Sequence, residues 1–158
     1  MKLVSRILTL LVLASATVFY SSCGGDDDNA KSETDQQLEK LNGTWVIQAP
    51  TDVTQDSDAP PFPFTNMELT INAAAGSTSF PWQAAGRPTL GPWAASGTFE
   101  FGDPVASVLL RDDKVTVNYT VDETSLIMTF KFSNSSGYPG GRVASVEGDW
   151  SFEFTKKK

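Results

Sequence analysis

The side chains able to do chemistry in this 158-residue chain are a restricted set, with no histidine, one cysteine (Cys23), 12 Lys+Arg and 19 Asp+Glu. Without histidine there is no Ser-His-Asp or Cys-His nucleophile pair, no imidazole metal ligand and no imidazole acid-base group near neutral pH. A carboxylate-only mechanism would need two acids facing one another across a cleft. The adjacent pairs Asp112-Asp113 and Asp122-Glu123 sit instead in short connections, where Asp is favoured because it bonds the local backbone. The composition therefore points to binding rather than catalysis, with no catalytic residue and no cofactor expected. Asp52, Asp56 and Asp58 could contact calcium, but they lack the order and the glycine of a calcium loop, so no metal is expected either.

Recognition chemistry is better represented. Arg87 lies in Ala84-Ala85-Gly86-Arg87-Pro88-Thr89-Leu90-Gly91-Pro92-Trp93, and Arg142 in Ser135-Ser136-Gly137-Tyr138-Pro139-Gly140-Gly141-Arg142. Guanidinium groups read carboxylates or phosphates, and Phe62, Phe64, Trp82, Trp93 and Tyr138 would hold the apolar part of such a ligand by contact or stacking. Phe62 and Phe64 belong to the stretch Asp56 to Phe64, which its prolines would stiffen into a lid. The alternative is that the arginines pair with surface Asp and that the rings merely cap the core.

These residues need a scaffold, and the pattern supplies one. From Gly43 onward apolar and polar residues alternate in eight short segments: Gly43 to Ala49, Asn66 to Asn72, Ser77 to Trp82, Gly97 to Phe101, Val105 to Leu110, Val115 to Val121, Ser125 to Phe132 and Gly148 to Thr155. One face buried and one wet is an antiparallel signature. Eight such strands with local connections give an all-β up-and-down barrel or a sandwich, and the barrel is preferred because closure removes the edges. Thr34 with Gln37 forms a capping box for a short helix that buries Leu38 and Leu41 before the first strand. Connections one, three and seven are long and the even ones short, so the loops gather at one rim of a cup whose other end is sealed. Pro81 is the weak point, since proline is unwelcome in a central strand. Large rings are numerous enough that the barrel could equally be packed solid.

The first residues carry an address. Lys2 and Arg6 precede an apolar run from Ile7 to Tyr20, about 14 residues and short of the ~20 that span a bilayer, which reads as a signal peptide over residues 1–22. Tyr20-Ser21-Ser22-Cys23 resembles the lipobox of bacterial lipoproteins, with Tyr20 in place of the usual aliphatic residue. Gly24-Gly25-Asp26-Asp27-Asp28 after it resembles the export signal of Bacteroidota lipoproteins. That resemblance implies an acylated Cys23, a flexible acidic tether over 23–33 and a place on the outer face of the outer membrane. A lone cysteine forms no internal disulfide. Beyond residue 22, ten cations face 19 anions, which argues against nucleic acid. Lys156-Lys157-Lys158 reads as a solvated tail.

Gly43-Thr44-Trp45 is similar to the Gly-x-Trp motif of lipocalins, and with Ser96-Gly97-Thr98-Phe99 and Gly148-Asp149-Trp150-Ser151-Phe152-Glu153-Phe154 the chain resembles an uncharacterised lipocalin-like family of Bacteroidota lipoproteins. The resemblance implies a lipocalin-like barrel over 34–158, with Gly43 turning the chain into the barrel and Trp45 closing the narrow end. The Thr-Asp-Tyr motif of lipocalins is absent, and Lys156 replaces the arginine that stacks over the motif tryptophan. Fold does not specify function. Two readings follow for a monomer anchored to the membrane. One is a cup that binds a small amphipathic ligand. The other is a packed barrel that serves as an interaction module for an envelope protein or glycan.

Overall fold

A computed structural model describes residues 31–133 and 146–158. Helix α1 (Glu33–Leu41) is capped by Ser32, whose hydroxyl accepts the Asp35 N–H at 3.0 Å. The cap thus falls two residues before the Thr34 expected from the sequence. The Ser32 hydroxyl also donates to the Asp35 carboxylate, so the helix start is fixed there, inside the stretch read as tether. Nine residues give the helix one apolar stripe, and Leu38 and Leu41 on it are fully buried.

The strands are β1 (Gly43–Val46), β2 (Val53–Gln55), β3 (Glu68–Ile71), β4 (Ser79–Ala85), β5 (Ser96–Phe101), β6 (Val108–Arg111), β7 (Thr116–Val121), β8 (Ser125–Phe132) and β9 (Gly148–Lys156). Neighbours from β3 to β9 pair in chain order and all pairs are antiparallel, while β9 pairs back to β1 and closes the ring. The result is a closed, eight-staved antiparallel barrel with one short helix among the described residues. Nine strands make eight staves because β1 and β2 share one. Val46 lies opposite Thr155 and Val53 opposite Phe152, so both pair with the same partner strand. The expected strand Gly43 to Ala49 ends at Val46, and a single 3-10 turn at Pro50–Asp52 precedes β2; the Asp52 carboxylate accepts the Gln48 and Ala49 N–H groups.

The alternation that suggested the strands is met by the burial. Leu126, Met128, Phe130 and Phe132 point inward while Ile127, Thr129 and Lys131 are exposed, and Trp150, Phe152 and Phe154 repeat the pattern on β9. Several strands start or end one to three residues from expectation, and two of these shifts bear on the scaffold. Residues 104–107 form a helical turn, with the Val108 N–H bonded to Pro104 O, so β6 starts at Val108 rather than Val105. Strand β4 runs to Ala85, and Pro81 lies within it opposite Thr98. Pro81 O accepts from Asn72 N just past the end of β3. A residue's N–H and C=O face the same neighbour in a strand, so the missing Pro81 donor falls where that ladder runs out.

The strand order puts connections two, four and six, together with α1, at one end. Trp45 Nε1 donates to Leu41 O at 2.9 Å beneath the helix. Gly43 (φ +133°) leaves the place of its Cβ to Lys156, whose Cε would lie 3.0 Å away, and the Lys156 ammonium sits 5.0 Å over the Trp45 ring and donates to Lys40 O. Lys156 and Lys157 are therefore not a loose tail: the Lys157 N–H bonds Thr44 O and its ammonium pairs with Glu68. The Tyr119 hydroxyl, in the same end, donates to Val105 O at 2.6 Å.

Burial, aided by the Glu33 charge, pushes the Tyr119 hydroxyl above its ordinary value of 10.0. The unfolded chain then loses this proton first, so this contribution to stability is full below about pH 10 and declines as the pH rises through that value. Tyr119→Phe should lose about 1 kcal/mol at neutral pH from the missing hydrogen bond, yet show a shallower alkaline decline in urea melts compared at about pH 7 and about pH 10.5. An unchanged alkaline slope in the variant would show that Tyr119 does not carry it.

Candidate functional site

Among the described residues, connections one, three and five gather at the other rim, where β2 leads into a strap. Asp56 (φ +53°) and Ser57 (φ +71°) are both left-handed, as the centre of a type I′ turn requires, and Gln55 and Asp58 exchange two 2.9 Å backbone bonds across them. Asp56 clamps the start of β9: its N–H donates to Asp149 O at 2.7 Å and its carboxylate accepts the Asp149 N–H at 2.8 Å. Asp52 and Asp56, weighed as calcium contacts, are thus occupied with backbone N–H groups. The strap then passes Pro60, Pro61 and Pro63 to Phe64, which is buried edge-on against Trp150 at 5.7 Å and Phe152 at 5.2 Å. Phe62 remains half-buried. With Pro50 and residues Ala59 to Phe64 it lines a surface groove of about 240 Å³.

The loop between β4 and β5 drives a second ring inward. It leaves β4 at Gly86 (φ +64°), where a Cβ would meet the Asn66 carbonyl at 1.9 Å, so only glycine fits. Arg87 stays half-buried and donates to the neighbouring Pro88 O at 3.3 Å. Trp93 is wholly buried, with Trp82, Phe130 and Phe152 packed edge-on at 5.3, 5.5 and 5.7 Å between ring centroids. Phe64, Trp82 and Trp93, read from the sequence as ligand contacts, are core rings that fill the rim end of the barrel. Arg87 and Trp93 share a loop but not a place. Tyr138, Arg142 and Cys23 lie outside the described residues.

The cation that meets Trp93 is Arg111, one residue beyond the expected segment Val105 to Leu110 and the last residue of β6. It is 2% exposed and the one buried charged side chain among the described residues. Its guanidinium carbon lies 4.8 Å from the Trp93 ring centre, 5.4 Å from Phe130 and 5.6 Å from Trp82. Nη2 donates to Asp113 Oδ2 at 2.5 Å and to Pro92 O at 3.1 Å. The signal was present: Leu109 faces inward, and a period of two carries Arg111 to the same face. The acidic pairs serve turns. Asp113 holds Arg111, while the Thr124 and Ser125 N–H groups on Asp122 hold its carboxyl below the usual range. What lies beneath the rim is a set of rings, one buried guanidinium and indole N–H donors, a set suited to flat apolar surfaces and oxygen acceptors.

No protein-family model matches the chain, and no curated protein matches it.

Breaking the buried pair from either side should have unequal effects. Asp113→Ala, which removes the carboxylate and leaves the cation inside, should cost about 3 kcal/mol in urea unfolding, whereas Arg111→Met should cost about 1 kcal/mol. The reverse ranking would mean that the pair is effectively a surface one.

Proposed function

We propose that this protein is a lipid-anchored envelope protein, acylated at Cys23 and held on the outer face of the outer membrane, whose barrel is an interaction module for a protein or glycan. The observation that carries this reading is the polarity of the barrel. The described chain enters through α1 at the sealed end, and the strap and the β4–β5 loop stand at the opposite rim. The helix that follows the proposed tether therefore sits at the end opposite these loops, and display from the free rim is part of the proposal. The rim is also built to be displayed: Phe64 and Trp93 fix two loops from inside, so Phe62, the strap prolines and Leu90, which is 49% exposed, are held in place before any partner arrives. Loops ordered in advance lose less entropy on binding. Arg87 adds a polar group to the same rim, and packed rings in the interior suit a module that acts through its surface.

Two measurements test the proposal in cells. Cys23→Ala should move the protein from the membrane fraction to the soluble one. A photo-crosslinking residue in place of Phe62 or Leu90 should give discrete adducts on intact cells, while the same residue in place of Ile127, on the barrel wall, should give none. Equal labelling from rim and wall, or an unchanged membrane fraction in Cys23→Ala, would overturn the display or the anchor respectively.

A further inference from the structure

The four tryptophans divide into two kinds. Trp45 and Trp150 donate their indole N–H groups to Leu41 O and Val146 O, each at 2.9 Å. Trp82 and Trp93 are as deeply buried, yet their Nε1 atoms have no acceptor among the described residues. Buried donors ordinarily find one. These two rings are also the ones that pack edge to face at 5.3 Å and lie against the Arg111 guanidinium. Polar groups that lack an acceptor are thus concentrated at one point of an otherwise apolar interior, under a loop that reaches it from the rim.

What the loop offers Arg111 is an aromatic face from Trp93 and a carbonyl oxygen from Pro92. An aryl carboxylate presents the same two features in one molecule, and its second oxygen is an acceptor for an indole N–H. We propose that the β4–β5 loop is a built-in surrogate ligand and that the interior site beneath it binds a flat aromatic carboxylate. The incoming carboxylate takes the place of Pro92 O on Arg111 and accepts from Trp82, while its ring replaces the Trp93 indole among Trp82, Phe99 and Phe130. This adds an internal site to the rim display and does not depend on it. Occupation would release the β4–β5 loop, so the two are coupled through Trp93.

The test uses the full chain, ¹⁵N-labelled in detergent, titrated with indole-3-acetate while the indole N–H resonances are followed. Trp82 and Trp93 should shift saturably, with Trp45 and Trp150 unmoved as internal controls of fold. Trp93→Ala, which removes the competing ring, should tighten binding about tenfold, and Arg111→Met should weaken it about tenfold, as expected for losing a charge-assisted hydrogen bond. If Trp93→Ala loses the Trp45 and Trp150 resonances, the wild-type titration and Arg111→Met decide. The absence of any saturable shift at Trp82 and Trp93, or binding indifferent to Arg111→Met, overturns the site.

Discussion

The structure depends on one strand making contacts on both its edges. β9 pairs with β8 along its whole length on one side and with β1 and β2 in succession on the other, so the ring closes only through it. Its inward rings form a column: Trp150 on Phe152 at 5.8 Å and Phe152 on Phe154 at 5.9 Å, both nearly parallel. Phe130 of β8 stacks on the same Phe152 at 5.8 Å, and Phe64 and Trp93 arrive edge-on from the rim. Each buried aromatic adds roughly 2–3 kcal/mol by leaving water, and each well-oriented ring pair about 1 kcal/mol more. Phe152 takes part in five of these pairs, so closure of the sheet and filling of its interior are one event.

Within that apolar column a single cation is buried, and its energetics explain its company. Taking a guanidinium from water costs several kcal/mol even after relaxation. Asp113 offsets part of this as a close ion pair, the Pro92 carbonyl adds a charge-assisted hydrogen bond of about 2 kcal/mol, and ring faces contribute up to about 2 kcal/mol where water is excluded. Two of those compensations, the carbonyl and the Trp93 face, come from the β4–β5 loop. The loop is therefore held by the need to solvate a cation, not by apolar contact alone, and any molecule that solvates the cation better competes with it.

Much of the scaffold was legible because one-sided burial writes itself into sequence. Strands β7, β8 and β9 alternate with large apolar residues inside and mostly polar ones outside, and the structure keeps that alternation. Legibility fades where side chains are short or turns are locally encoded. Ala84 and Ala85 differ in burial but not in type, which hides the end of β4, and nothing in Gly43 to Ala49 announces that Asp52 will accept two backbone N–H groups and split the stave. At the rim the difficulty is different. Trp93 and Phe64 were read as facing a ligand because loop aromatics carry no periodicity that tells inward from outward. Arg111 could have been found, since strand parity places it inside, but it lies one residue past the expected segment Val105 to Leu110.

A loop that inserts a ring has two consequences that usually oppose each other. It adds a ring to the core, and it rigidifies the surface left outside, which favours display. Phe64 does both without ambiguity, because its environment is wholly apolar and the strap is further tied by Asp56 to β9. Trp93 does both while leaving its own N–H and that of Trp82 without acceptors among the described residues, so its seat there is good in area but incomplete in hydrogen bonding. The two loops are thus unequal in what could dislodge them: the strap is exchanged only against apolar area, the β4–β5 loop against apolar area together with an acceptor oxygen. That asymmetry makes the β4–β5 loop the part of the rim whose position a small molecule can control, and the strap the part that stays fixed while it does.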